Sequence, residues 1–199
     1  MITPSLTAYE RQLVADPHIL IAKNTIIKKV YQLFGTLSEE YKNEVASTIL
    51  SKQDFITPKI SRGENYQGLP YVVLDFPRQF GKEDVFAIRS FFWWGNFFSI
   101  TLHLAGCYQQ QYSSVIYNAI SNNLFSGWYI ATGENQWEHH FETNNYLSLT
   151  EARNDDIDKL PFLKMAKKIP LSKWDEANTF FTENFSLLIK MLESYAPIL

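Results

Sequence analysis

The chain has 199 residues, 46% of them apolar, 20% charged and 16% aromatic, and its net charge is −3. That balance fits one globular domain spanning 1–199, with no general electrostatic attraction to nucleic acid or to anionic membranes. One cysteine, Cys107, excludes an intrachain disulfide framework and a cysteine-cluster zinc site, and no stretch approaches the roughly 20 apolar residues of a membrane span.

The first part of the chain, 1–51, reads as helical. Thr3-Pro4 has the form of an N-cap and first helical position, opening a helix to about Ala15. The N-terminus lacks a basic segment followed by an apolar one, so a cytoplasmic location is expected. Asp16-Pro17 repeats the start signal. Ile19, Ala22, Ile26, Val30, Leu33 and Phe34 make a stripe, and Gly35 suits the end of that helix. Thr36-Leu37-Ser38-Glu39 has a capping-box pattern, which predicts a third helix with Leu37, Tyr41, Val45 and Ile49 facing inward.

Lys52–Pro70 has no helical stripe and reads as an ordered loop or a short edge strand, long enough to serve a binding site. From 70 to 169 the expectation is a sheet with an inserted helix. Tyr71–Phe76 is its first strand. Val85–Ala105, VFAIRSFFWWGNFFSITLHLA, is a hairpin turning at Gly95-Asn96, with Trp94 opposite Phe97. That register puts Arg89 on an apolar face with Ala87, Phe91, Leu102 and Leu104. The other face then carries Trp94, Phe92, Ser90, Ile88 and Phe86 together with Phe97, Ser99, Thr101 and His103 from the paired strand.

Tyr112–Leu124 has helical spacing, and Trp128–Thr132 with Trp137–Thr143 reads as another antiparallel pair. The passage from Phe97 to Thr132 is long enough for one parallel crossover. Ser148–Glu151 is a capping-box pattern for a short acidic helix ending near Asp158. Phe162–Ile169 alternates apolar residues with lysines, as a half-exposed or edge strand does. Ser172, with Asp175 three residues on, caps a last helix over 172–196, whose wide apolar stripe would pack across the sheet or join a second copy. The fold class is α+β: a mainly antiparallel sheet with the Val85–Ala105 hairpin at its centre, packed against N-terminal and C-terminal helices.

Three groups of residues could carry chemistry. Glu138, His140 and Glu142 alternate along the expected Trp137–Thr143 strand. They could hold a divalent metal with donors from elsewhere, or serve acid-base catalysis, although an ordinary solvent-facing strand has the same pattern. His103 near Ser90 suggests a nucleophile and base, but the Gly-x-Ser-x-Gly elbow is missing and a structural histidine hydrogen-bonded between sheet and helix is the preferred explanation. Arg89 interrupts an apolar face and cannot shed its charge, so it needs a carboxylate, for which Asp75 is the first candidate, or an anionic ligand. Cys107 reads as inert, and no nucleotide-binding motif is present to imply a cofactor.

These residues support three functions. In the first, a small molecule binds an aromatic-lined pocket on the Trp94/His103 face, with Arg89, Trp94 and His103 as ligand-binding residues and Lys52–Pro70 closing over it. In the second, a hydrolase-like enzyme uses Glu138, His140 and Glu142, with His103 as a further catalytic candidate. In the third, an aromatic surface docks a protein partner or a second copy.

Overall fold

In a computed structural model, which describes residues 4–52, 57–152 and 160–195, the chain opens on helix α1 (Ala8–Ala15). Its cap is a true capping box: the Thr7 hydroxyl accepts from the Glu10 amide, and the Glu10 carboxylate accepts from the Thr7 amide. The start expected at Thr3-Pro4 is therefore displaced to Thr7, and Thr3 itself lies outside the described residues.

Helix α2 (Pro17–Ala46) begins as expected, with Asp16 accepting from the His18 amide and Pro17 in the first turn. It does not end at Gly35. Ile27, Val30, Phe34, Leu37, Tyr41 and Val45 are buried at intervals of three or four residues, one unbroken stripe that carries the helix through Gly35 and the Thr36–Glu39 pattern. Tertiary packing along that stripe overrides a local stop signal. Ile19, by contrast, is exposed, and Ile49 falls in a short 3-10 turn, Ile49–Lys52.

Among the described residues, seven strands form one antiparallel sheet: β1 (Lys59–Tyr66), β2 (Leu69–Phe80), β3 (Val85–Trp93), β4 (Phe97–Ala105), β5 (Tyr129–Ala131), β6 (Tyr146–Ser148) and β7 (Phe162–Pro170). Their spatial order is β1-β2-β3-β4-β7-β5-β6, and every pairing is antiparallel, so the crossover after Phe97 does not produce a parallel pair. The α+β class and the central hairpin are as expected. Much of the Lys52–Pro70 stretch is an edge strand, returning to β2 through Gln67-Gly68, both at positive φ.

The central hairpin differs from expectation by one residue. Trp93, not Trp94, pairs with Phe97, so the loop is Trp94-Gly95-Asn96. The Trp94 amide bonds the Pro70 carbonyl at 3.0 Å, outside the β3–β4 ladder, while the Asn96 amide closes the turn on the Trp93 carbonyl with Gly95 at φ +73°. Such a slip exchanges every side chain of one strand between faces. Phe86, Ile88, Ser90 and Phe92 consequently share a face with Phe98, Ile100, Leu102 and Leu104. Arg89 shares the other with Ala87, Phe91, Ser99, Thr101 and His103.

Three helices cover the first of these faces: α2, α3 (Cys107–Ser121) and α4 (Ala177–Glu193). The Asp84 carboxylate accepts from the Cys107 amide at 2.8 Å and so caps α3, well before the predicted start at Tyr112. At the other end, Leu171–Glu176 is a 3-10 turn broken by non-helical Lys173, which moves the start of α4 past the Ser172 cap. The α4 stripe, including Phe181, Phe185, Leu188 and Leu192, is buried against α2, α3 and the sheet. Tyr41 joins these layers, stacked on Phe185 at 3.6 Å, with its hydroxyl 3.0 Å from the Ser90 hydroxyl.

Two further expectations are corrected. Trp137–Thr143 is irregular rather than a strand, and β6 takes its place beside β5. Phe162–Pro170 is not an edge: β4 pairs along its whole length and β5 covers Met165 and Ala166, so Phe162–Ala166 is buried and the alternation of lysines becomes solvent-facing only from Lys167. The acidic helix expected to end near Asp158 falls largely on 153–159, outside the described residues.

A β-carbon added at Gly35 would meet nothing within 4 Å. Gly35→Ala should therefore raise stability by about 0.5–1 kcal/mol, the usual helix-interior difference. A thermal melt checks this; a lower melting point would show that glycine is required there.

Candidate functional site

The sheet face away from the helices has three bands. Val73, Phe91, Trp93 and Phe97 form an aromatic end, joined by Tyr66 and Tyr71, and Val85, Ala105, Ala131, Tyr146, Phe162 and Ala166 form a second apolar cluster. Between them lie Asp75, Arg89, Thr101, His103 and Lys164, brought into adjacent registers by β2, β3, β4 and β7. These polar residues are buried or half-buried because the irregular segment 132–145 crosses over them.

Arg89 and Asp75 are direct cross-strand partners and form a two-pronged ion pair, Nε to Oδ1 at 2.7 Å and Nη2 to Oδ2 at 3.0 Å. This is the carboxylate that a half-buried guanidinium on this face demands. Arg89 Nη1 lies 3.1 Å from His139 Nε2. Because arginine only donates, His139 Nε2 must accept, which places the proton of the neutral ring on Nδ1. Burial, followed by the charges of Lys164 and Arg89, holds His139 well below the usual histidine range.

Three more side chains grip the same segment. The Tyr66 hydroxyl donates to Glu138 Oε2 at 2.8 Å and accepts from the His139 and His140 amides at 2.7 and 3.0 Å. Burial pushes this phenol up to about 12, so it remains a donor. Lys164, 2% exposed, donates to the Gln136 carbonyl at 3.0 Å and to the Glu138 carbonyl. Burial and then the Arg89 charge pull its ammonium down to about 7, with Glu138 opposing. His103 Nε2 donates to Gln136 Oε1 at 2.9 Å, and burial followed by the Lys164 charge takes that ring down to about 3.

A pocket of about 280 Å³ opens where this segment meets the β1–β2 hairpin. Ser61, Tyr66, Tyr71 and Val73 line it from the hairpin, Trp137 and His139 from the crossing segment, and Arg89 from β3. Gly63 is required here: a β-carbon would stand 2.4 Å from the Tyr71 ring, so only glycine lets that ring lie across β1. Arg89 has five N–H groups, and its three named bonds leave two for another acceptor.

Of the residues singled out in the sequence, only Arg89 lines this pocket. Trp94 is half-buried and packs with Phe92 against the core on the helix side, and His103 is on the opposite sheet face, so the two do not share a concavity. The His103–Ser90 pairing is likewise absent, since Ser90 faces Tyr41. Glu138 Oε2 and His140 Nε2 approach to 3.7 Å, but Glu142 does not complete a set: no group of three His, Cys, Asp or Glu side chains suited to a metal occurs among the described residues. Their expected convergence needed a strand that does not form. Tyr66, Tyr71 and His139 were not anticipated; Gly63 facing Tyr71 is their one local trace. Cys107 is exposed, and burial, with the Asp84 carboxylate next, pushes its thiol up, in keeping with an inert role.

Compared with known proteins, the chain matches no family model, no curated protein and no solved structure.

Removing Arg89 leaves Asp75 buried without its cation, so Arg89→Ala should cost about 3–5 kcal/mol. Arg89→Lys should recover only part of this, because the planar fork is lost. Urea unfolding of both variants measures the difference.

A second expectation concerns acid. His103 and His139 stay neutral in the fold at pH values where the unfolded chain binds protons, below about 6.5. The stability gained by neutrality is present above about pH 6.5 and lost as pH falls, at about 1.4 kcal/mol per pH unit for each histidine. For His103 the loss continues toward about pH 3. His103→Gln should remove one proton's worth of that slope in unfolding midpoints measured across the acid range.

Proposed function

We propose that this chain binds a small molecule in the pocket between the β1–β2 hairpin and the crossing segment. The observation that carries the reading is the meeting of aromatic walls, Tyr66, Tyr71 and Trp137, with a guanidinium that retains free N–H donors. Small-molecule sites have this composition: mostly apolar lining with a few convergent polar groups. At about 280 Å³ the pocket suits a ligand the size of one substituted ring. A planar molecule bearing a carboxylate or carbonyl would lie against the tyrosines and accept from Arg89. The Asp75 carboxylate already neutralises the guanidinium, which favours an oriented hydrogen bond over capture of a highly charged anion.

No catalytic group is assigned. The Tyr66 hydroxyl is fully engaged, and His139 already accepts from Arg89, which leaves binding as the simpler use of the site. A cytoplasmic location and a single domain belong to the same reading, supported by the lone cysteine and the charge balance. No described helix is long and apolar enough to cross a membrane.

Titration with benzoate and benzamide, followed by NMR, tests the proposal. Saturable shifts should appear at the Trp137 indole and in the Tyr71 ring. Gly63→Ala, which forces Tyr71 aside, should weaken binding at least tenfold with little loss of the Arg89–Asp75 pair. Shifts that never saturate, or that survive unchanged in Gly63→Ala, would remove the pocket from consideration.

A further inference from the structure

Outside this pocket, and sharing no lining residue with it, the N-terminal helices carry large apolar side chains that stand exposed among the described residues. α1 buries no residue, and the first buried residue of α2 is Ile27. The helix first meets the body of the protein at Lys23, ion-paired to Glu64 on β1, and at half-buried Ile26, so Pro17 to Ala22 extends roughly 9 Å beyond it, at about 1.5 Å per residue. Along this arm Tyr9 is 67% exposed, Val14 76%, Leu20 62% and Ile21 58%, with Leu6, Leu13 and Ile19 between 37% and 48%. An eight-residue helix is marginal on its own in water, and helices in proteins are held chiefly by burial of an apolar face. α1 has such a face and no core to receive it.

Where α1 meets α2 the arm forms a cavity of about 730 Å³, lined by Leu13, Val14, Ile19 and Leu20, with Glu10 and Asp16. We propose that this arm is the interface of a two-fold homodimer, in which the α1–α2 groove of each protomer seats exposed apolar side chains from the arm of the other. Three features select a second copy as the occupant.

The first is area. At ordinary residue areas, the exposed fractions amount to roughly 700–800 Å² of apolar residues, about one partner's share of a standard interface. The second is self-complementarity: one short segment supplies both projecting side chains and a groove, as an interface paired with itself requires. The third is charge. The groove contains two carboxylates, and Arg11, next to them on α1, has no side-chain partner among the described residues. A two-fold axis brings Arg11 of each copy toward the acids of the other. The same carboxylates would repel an anionic lipid surface, so the groove does not suit that partner.

Sedimentation velocity over about 1–100 µM, with thermal melts at the same concentrations, tests this. The wild-type chain should be dimeric at the upper end and should melt at a temperature that rises with concentration. Val14→Glu combined with Leu20→Glu should raise the dissociation constant at least a hundredfold and make melting independent of concentration. Tyr9→Lys should act in the same direction, whereas Val14→Ile with Leu20→Met should remain dimeric. All these positions lie outside the core, so far-UV circular dichroism should be preserved. A wild-type monomer throughout the range, a dimer that survives both charged variants, or a monomer that instead binds anionic phosphatidylserine vesicles would each overturn the proposal. Benzoate titration of the charged double variant should match wild type, which separates this interface from the pocket.

Discussion

Irregular backbone laid across a sheet has no ladder to satisfy it, and each buried amide or carbonyl left without a partner costs about 1–3 kcal/mol. The segment 132–145 meets that constraint by drawing on the side chains beneath it. Lys164 takes two of its carbonyls, Tyr66 holds two of its amides, and Arg89 and His103 engage its side chains. The polar band in an otherwise aromatic sheet face is thus the counterpart of an irregular strap. Lys164 shows the tension. It is worth burying for its two carbonyl contacts, yet burial and the Arg89 guanidinium together weaken its hold on its own proton.

The pocket follows from the same arrangement. Were 137–143 a regular strand, it would extend the sheet and leave the Arg89 face bare. Because it crosses the face, Trp137 and His139 become walls and Tyr66 becomes their fastening. Gly63 completes the enclosure by letting the Tyr71 ring lie flat over β1.

The helices, most strand positions and the α+β class were legible because they rest on local periodicity. The faces of the central hairpin were not, because parity depends on whether the loop has two residues or three. Both loops contain Gly95-Asn96, and a long-range bond from Trp94 to Pro70 selects the longer one. Gly35 misled for a related reason: a cap signal was read locally, where the Phe34–Leu37–Tyr41 stripe decides over a longer distance. Asp75 could be named as the partner of Arg89 because a guanidinium withdrawn from water has few solutions. Lys164 shares parity with Phe162 and Ala166, which hinted at burial, but flanking Lys167 and Lys168 disguised it. The alternation over Trp137–Thr143 imitates a strand that does not form, so it gave no sign that His139 would turn onto Arg89.

The position of β7 has a consequence for how the molecule is assembled. β1 to β4 form a meander whose partners are neighbours in sequence, so their loops close at small entropic cost. β5 and β6 emerge from the ribosome next, yet the strand that joins them to β4 is β7, made last of the seven. Until residues 162–170 arrive, β4 presents an unpaired row of backbone groups bordered by Phe97, Phe98, Ile100 and Leu102, the kind of edge on which nascent chains aggregate. The insertion of β7 therefore closes that edge and docks β5 and β6 in one event, which makes the late, lysine-rich strand the step that commits the sheet to its final order.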